Sequence, residues 1–301
     1  MAILAHAGTS ILVQGITGRE ANTFTRESLQ YGAQIVAGVT PGKGGQETHG
    51  IPIFDTVAAA VQAHPIQASI ISVPAQVVRD AALEALESGI ELLVIVSERV
   101  PRKDVVVILE WATMRGARVI GPNSLGIISP ERTRIGMCGG AAQDVRRAYM
   151  IGAVGIMSRS GGMMTELANQ LTQAGIGQST CVSIGGDPIL GSTFVDLLPL
   201  FEADEETMAL VLFCEPGGTM EERLADHLRE HPSRLPIVAF IAGRFADRMQ
   251  GIRFGHAGAI VEGHRGSPAA KAATLAAAGV RVSSRLNQIP EYVREMMPEP
   301  A

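Results

Sequence analysis

The sequence predicts an α/β protein built as two doubly wound, mainly parallel sheets in tandem. Short apolar runs alternate with longer amphipathic ones, the pattern of strands buried on both faces of a parallel sheet and covered by helices. The runs end repeatedly in Gly, Pro or Asn, which make tight turns. At 301 residues the chain is longer than one hydrophobic core usually encloses, so two domains are expected.

Ser10-Ile11-Leu12-Val13-Gln14-Gly15 reads as a buried strand stopped by a glycine, and Gly15-Ile16-Thr17-Gly18 turns into a helix through Tyr31. Gln34 to Val39 is the second strand, followed by Ile53-Phe54 and a helix from Thr56 to Ala63. Ala68 to Val73 is a strand that stops at Pro74. A helix from Val77 to Ser88, a strand from Leu92 to Val96, a helix from Lys103 to Arg115 and a strand from Arg118 to Ile120 complete the series. The first domain is expected to span residues 1–128. Residues 129–148 carry Pro130, several glycines and charges, and read as a linker or surface excursion.

The second domain is expected over residues 149–301. Its strands read Val154 to Met157, Gln178 to Ser183, Leu210 to Phe213 and Ile237 to Ile241. Helices fall at Met163 to Gln173, Phe194 to Ala203 and Met220 to Glu230, with closing helices at Ala269 to Ala278 and Pro290 to Met297. This alternation fits a flavodoxin-like sheet.

Composition excludes several function classes. A net charge of −5 argues against a nucleic-acid surface. No apolar run approaches the ~18–20 residues that span a bilayer, so no membrane partner is expected. The N-terminus has neither the basic start and long apolar core of a signal peptide nor an Arg/Ser-rich transit pattern. Cys138, Cys181 and Cys214 are far apart and odd in number, as for free thiols in a reducing compartment; a cytoplasmic protein is expected.

The chemistry-bearing residues cluster at strand ends. Gly15-Ile16-Thr17-Gly18 joins a strand to a helix, where backbone N–H groups favour phosphate. It lacks the third glycine of the dinucleotide fingerprint, and no acid stands at the tip of the second strand to hold a ribose. Lys43 stands there instead, among glycines in Thr40-Pro41-Gly42-Lys43-Gly44-Gly45, and suits a phosphate on a ribose; its plain alternative is a solvated loop lysine. Val73-Pro74, Ser97-Glu98 and Asn123 follow the next three strands, at the carboxyl ends where open α/β sheets bind ligands. Pro74 also serves as a strand stop, and Asn123 as a turn former.

In the second half, Ser158-Arg159-Ser160-Gly161-Gly162 forms another strand-to-helix turn, either an anion site or ordinary capping by Ser160. Glu215 follows the strand ending at Cys214. His256 lies in Gly255-His256-Ala257-Gly258, where small neighbours leave it open to approach. An imidazole with a pKa near ~6.5 is a good nucleophile, and a carboxylate such as Glu215 can orient and charge-stabilise the ring. An isolated histidine between glycines is otherwise a loop residue.

In this order, these motifs, with Gly177-Gln178-Ser179-Thr180, Ile184-Gly185-Gly186-Asp187-Pro188 and Gly255-His256-Ala257-Gly258-Ala259-Ile260, resemble the succinyl-CoA synthetase α-subunit family and its nucleoside-diphosphate-forming acyl-CoA ligase relatives over nearly the whole chain. The resemblance implies a Rossmann-like CoA-binding domain followed by a flavodoxin-like ligase domain. It implies a CoA site on Thr17, Gly18, Lys43, Val73, Pro74, Ser97, Glu98 and Asn123. It implies a phosphohistidine on His256, with Glu215 beside it and Ser160, Gly161 and Gly162 at the phosphate. It further implies an ATP-grasp β subunit (αβ or α2β2) that uses ATP or GTP with Mg²⁺, and a small carboxylic acid substrate joined to CoA through an acyl phosphate. The chain departs from the family's pattern at Gly162, where a threonine is usual, at Ser124 and Leu125, where Cys and Pro are frequent, at Arg19-Glu20-Ala21-Asn22, and over Arg244 to Gly251. These positions leave succinate, malate, another small dicarboxylate and a sulfonated acid open. The competing readings are a CoA-binding regulatory protein without turnover, which needs neither His256 nor Glu215, and a nicotinamide oxidoreductase, which the absent glycine and ribose acid oppose.

Overall fold

The computed structural model describes residues 2–243 and 266–297. The first unit contains β1 (Ser10–Gln14), α1 (Arg19–Tyr31), β2 (Gln34–Val39), β3 (Glu47–Thr48), β4 (Ile51–Phe54), α2 (Val57–Ala63), β5 (Ala68–Ile71), α3 (Val78–Glu87), β6 (Leu92–Ile95), α4 (Arg102–Met114) and β7 (Arg118–Ile120). Its sheet order is β3-β4-β2-β1-β5-β6-β7. Apart from the short antiparallel β3, the strands are parallel and follow the Rossmann order. The order reverses at β1, and the crevice opens there.

The second unit contains β8 (Gly126–Ser129), β9 (Thr133–Gly136), α5 (Ala142–Ala148), β10 (Ile151–Ser158), α6 (Gly161–Gln173), β11 (Gln178–Ser183), α7 (Phe194–Ala203), β12 (Ala209–Cys214), α8 (Met220–Glu230), β13 (Ile237–Ile241), α9 (Pro268–Ala277), β14 (Arg281–Ser283) and α10 (Ile289–Met296). The order β14-β13-β12-β10-β11-β8-β9 places its parallel strands in flavodoxin order, with the β8–β9 hairpin added antiparallel to β11. Here the order reverses at β10.

The segment 129–148 differs from the linker expected of it. Ser129 closes β8, and β9 and α5 follow, so this stretch builds the edge of the second sheet. Ile128 likewise lies in that sheet, and the chain changes sheets in the turn 121–125. The strands are short and hold a fully buried arginine, so no apolar run marks them. Arg134 Nε donates to Ser28 Oγ at 3.1 Å, and its Nη1 donates to the carbonyls of Cys138 and Gly140. Those bonds offset part of the cost of burying the charge, and Nη2 is left without a partner. They also tie α1 to the second unit, as does the Ala142 N–H donating to Glu27 Oε2 at 3.0 Å.

Helix starts follow local chemistry. Thr193 and Asp196 form a reciprocal capping box at α7, and Ser267 caps α9 with Pro268 in its first turn. All three cysteines are buried free thiols, and burial pushes Cys138 up to about 12, which keeps it protonated and unreactive. Among the described residues, no helix is long and apolar enough to cross a membrane.

Candidate functional site

The carboxyl ends of β1, β5 and β6 frame a cleft of about 320 Å³. Gly18, Val73, Pro74, Ser97 and Glu98 line it, together with Arg19, Glu20 and Ala21 of α1. Gly15 has φ +79° and approaches β5 so closely that a Cβ would stand 2.3 Å from the Ser72 carbonyl oxygen. Only glycine permits that turn. Gly18 is the N-cap of α1 and offers no side-chain cap, so the first amides of the helix remain open to an anion.

Thr17 and Lys43 lie outside the walls of this cleft but are linked to each other. Thr17 Oγ1 donates to Thr40 Oγ1 at 3.2 Å, and the Lys43 N–H donates to the Thr40 carbonyl at 3.1 Å. The loop holding Lys43 is exposed. Asn123 is joined from the other side: its N–H donates to the Ser97 carbonyl at 2.9 Å, and Ser97 Oγ donates to the Val73 carbonyl at 2.5 Å.

Asp187, in the Ile184–Pro188 motif, connects this edge to the second unit. Its Oδ1 accepts from Asn123 Nδ2 at 3.2 Å. Desolvation raises its pKa, opposed by hydrogen bonds from Asn123 and from the Arg99 and Val100 backbone. The Gly-Gly-Asp-Pro sequence carries the resemblance, but nothing local in it specifies the contact with Asn123.

The second crevice lies past the carboxyl ends of β10 and β12, which pair in register at Ser158 and Phe213. Ser160 caps α6, accepting from the Met163 N–H. A Cβ on Gly161 would fall 2.2 Å from Leu125 Cγ, whereas one on Gly162 would meet nothing within 4 Å. Glu215 follows β12 on the facing strand, so Ser160, Gly161, Gly162 and Glu215 share one end of two adjacent strands.

His256 lies outside the described residues, but both ends of its segment are placed. Gly243 packs against Pro216, where a Cβ would stand 2.5 Å from the ring, and the Gly217 N–H donates to the Gly266 carbonyl at 2.9 Å. Gly243 and Gly266, the described residues on either side of this segment, therefore both lie beside the Glu215–Gly218 turn.

That turn rests on buried charge. Lys271 is 0% exposed, and its ammonium donates to Glu221 at 2.5 Å, Glu222 at 2.8 Å and the Gly218 carbonyl at 3.1 Å. All three of its protons are used. Arg159, at the end of β10, is also buried. Neither carries a local sequence signal: Lys271 sits in an alanine-rich helix, and Arg159 in a Ser/Gly turn.

Residues 6–99 match the CoA binding domain family, and residues 157–281 match the CoA-ligase family. The chain is 44% identical over 297 residues to succinate–CoA ligase [ADP-forming] subunit alpha 1 of Archaeoglobus fulgidus, covering 99% of each. It is 38% identical to an ADP-forming sulfoacetate-CoA ligase subunit of an Acholeplasma species, covering 98% of each. The structure superimposes on ATP citrate lyase from Methanothrix soehngenii, solved with citrate and coenzyme A, with a TM-score of 0.89 and 24% identity. The match covers 99% of this chain and 52% of that one, so this chain corresponds to about half of the longer protein and the likeness establishes the fold. On the full-length identity and the paired domains, the chain belongs to the succinate–CoA ligase (ADP-forming) α-subunit family and is an α subunit of an ADP-forming CoA ligase.

Proposed function

We propose that the chain binds CoA at the first crevice and relays a phosphoryl group through His256 at the second, joining a small carboxylic acid to CoA. The observation carrying this reading is that Gly243 and Gly266, which flank the His256 segment, both lie beside the Glu215–Gly218 turn after β12, the strand adjacent to the one that leads into α6. A phosphoryl group on His256 would meet the open amides of Gly161 and Gly162 and the positive end of the α6 dipole. Glu215 would accept the other imidazole N–H and stabilise the charged ring.

The nucleotide site is assigned to an ATP-grasp β partner that supplies ATP or GTP with Mg²⁺. The imidazole nitrogen takes the γ-phosphoryl group and the nucleoside diphosphate leaves. An oxygen of the acid's carboxylate then attacks phosphorus, the P–N bond breaks, and an acyl phosphate forms. The CoA thiol, losing its proton, attacks the acyl carbon, and inorganic phosphate departs with the C–O bond. For CoA, the first crevice offers the uncapped start of α1 to the pyrophosphate and the Lys43 ammonium to the 3′-phosphate. The acid is assigned to small carboxylates with a second anionic group, the chemistry shared by the succinate and sulfoacetate in the relatives' names.

The test is mass spectrometry of the chain co-purified with its partner after incubation with Mg²⁺-ATP or Mg²⁺-GTP. Phosphate on His256, discharged by CoA plus one acid of a panel, is expected. His256→Asn should abolish labelling and leave CoA affinity intact. An intact complex that takes no phosphate from either nucleotide points instead to CoA binding without turnover.

A further inference from the structure

We infer that Arg159 is a binding residue for the oxygens of the phosphoryl group at the second crevice; the inference rests on the phosphoryl-relay reading. Arg159 is 4% exposed, yet its Nε has no hydrogen-bond partner. A buried guanidinium with an unmade bond is costly, and such groups are normally satisfied. Arg134 Nη2 shares this state inside the β8–β9 edge, but Arg159 differs in standing at a crevice. It directly follows β10, where the strand order reverses and doubly wound sheets bind ligands. Its Nη1 reaches the turn after β12, lying 3.9 Å from where a Gly218 side chain would begin. Gly218 has φ +63° and no side chain, which leaves that lip of the crevice open.

The neighbouring buried cation differs in one respect. Lys271 spends all its protons on Gly218, Glu221 and Glu222, whereas Arg159 keeps an N–H in hand. Arg159 directly precedes the α6 cap Ser160, so its backbone joins the turn that opens α6 while its Nη1 lies beside Gly218 of the facing turn. Guanidinium geometry matches a tetrahedral oxyanion, and a buried charge-assisted bond holds it more strongly than a solvated one.

The experiment uses the complex with its partner and compares wild type, Arg159→Lys and Arg159→Gln. The probes are inorganic phosphate, CoA and the acid, with phosphohistidine content read in parallel. Arg159→Gln should raise the KM for phosphate in the acyl-CoA-consuming direction by roughly tenfold to a hundredfold, while the KM for CoA changes less than about twofold. Arg159→Lys, which keeps the charge and loses the fork, should fall between. An unchanged phosphate KM, an equal rise for CoA, or a rise confined to the acid overturns the assignment.

Phosphate-induced thermal stabilisation of the complex provides a readout without turnover. It should be present in wild type and reduced in Arg159→Lys even where Arg159→Gln fails to fold. An undiminished shift in Arg159→Lys and in any folded Arg159→Gln overturns the assignment. If wild type takes no phosphate on His256, the relay reading fails by itself, and the thermal shift still decides whether Arg159 binds phosphate.

Discussion

Two crevices of one chain share a plan and differ in their electrostatics. Each opens where a doubly wound sheet reverses its strand order, and each has a glycine turn leading into a long helix, Gly15–Gly18 before α1 and Ser158–Gly162 before α6. The first is held by hydroxyl and backbone bonds, and its charged residues, Arg19, Glu20 and Glu98 with the nearby Lys43, are all exposed. The second buries Arg159, Lys271 and Glu221. Charges in a low-dielectric site act far more strongly than charges in water and are held in place before reaction. The first crevice thus suits holding a long, polar ligand, and the second suits stabilising a group whose charge changes during transfer.

The largest expected effect lies in the buried charge. Lys271→Met strands Glu221 and Glu222 and should cost about 3–5 kcal/mol of stability. Thr17→Ala in the first crevice should cost no more than about 1.5 kcal/mol, since it removes a single exposed hydroxyl bond. Denaturant unfolding of both variants measures the difference, and near-equal losses would erase the electrostatic distinction between the crevices.

Next comes packing within the second crevice. Gly161→Ala forces a methyl into Leu125 and should cost about 1–3 kcal/mol, while Gly162→Ala enters open space and should stay within about 0.5 kcal/mol. If the two proved alike in thermal unfolding, Leu125 would have to give way freely.

In the first crevice, Lys43→Ala should weaken CoA by roughly tenfold, about 1.4 kcal/mol, and dephospho-CoA much less, by calorimetry. Equal losses for both ligands would remove Lys43 from the 3′-phosphate.

The smallest effect concerns Asp187, between the crevices. Burial raises its native pKa above the ordinary value of 3.8, so the native state holds this proton more tightly than the unfolded chain. Its contribution to stability therefore falls as pH rises from that ordinary value through the native one. Relative to Asp187→Asn, wild type should lose stability over that window. Urea midpoints for the pair across the acid range check the sign; the opposite slope would mean that the hydrogen bonds from Asn123 and from the Arg99 and Val100 backbone outweigh desolvation.

Much of the fold was legible because its strands are local signals. The runs Gln34 to Val39, Gln178 to Ser183 and Ile237 to Ile241 appear as strands with those bounds, and the helices Phe194 to Ala203 and Met220 to Glu230 likewise. The hairpin β8–β9 escaped because Arg134 and flanking glycines interrupt any apolar period. At the first crevice, Gly18, Val73, Pro74, Ser97 and Glu98 converge on one cleft as their strand-end positions suggested. Lys43 is tied to Thr17 through Thr40, and Asn123 to the cleft wall through Ser97, contacts that no spacing rule specifies.

The sequence by itself determined the two doubly wound sheets, the turn chemistry at their strand ends and the family, because periodicity and turn residues act over a few neighbouring positions. Only the tertiary structure decided which charges are buried together. Lys271 meets Glu221 fifty positions away, Arg159 comes beside Gly218, and Gly266 closes on Gly217. Burial and hydrogen-bond satisfaction are properties of a neighbourhood assembled from distant segments, and no local pattern in the chain encodes them.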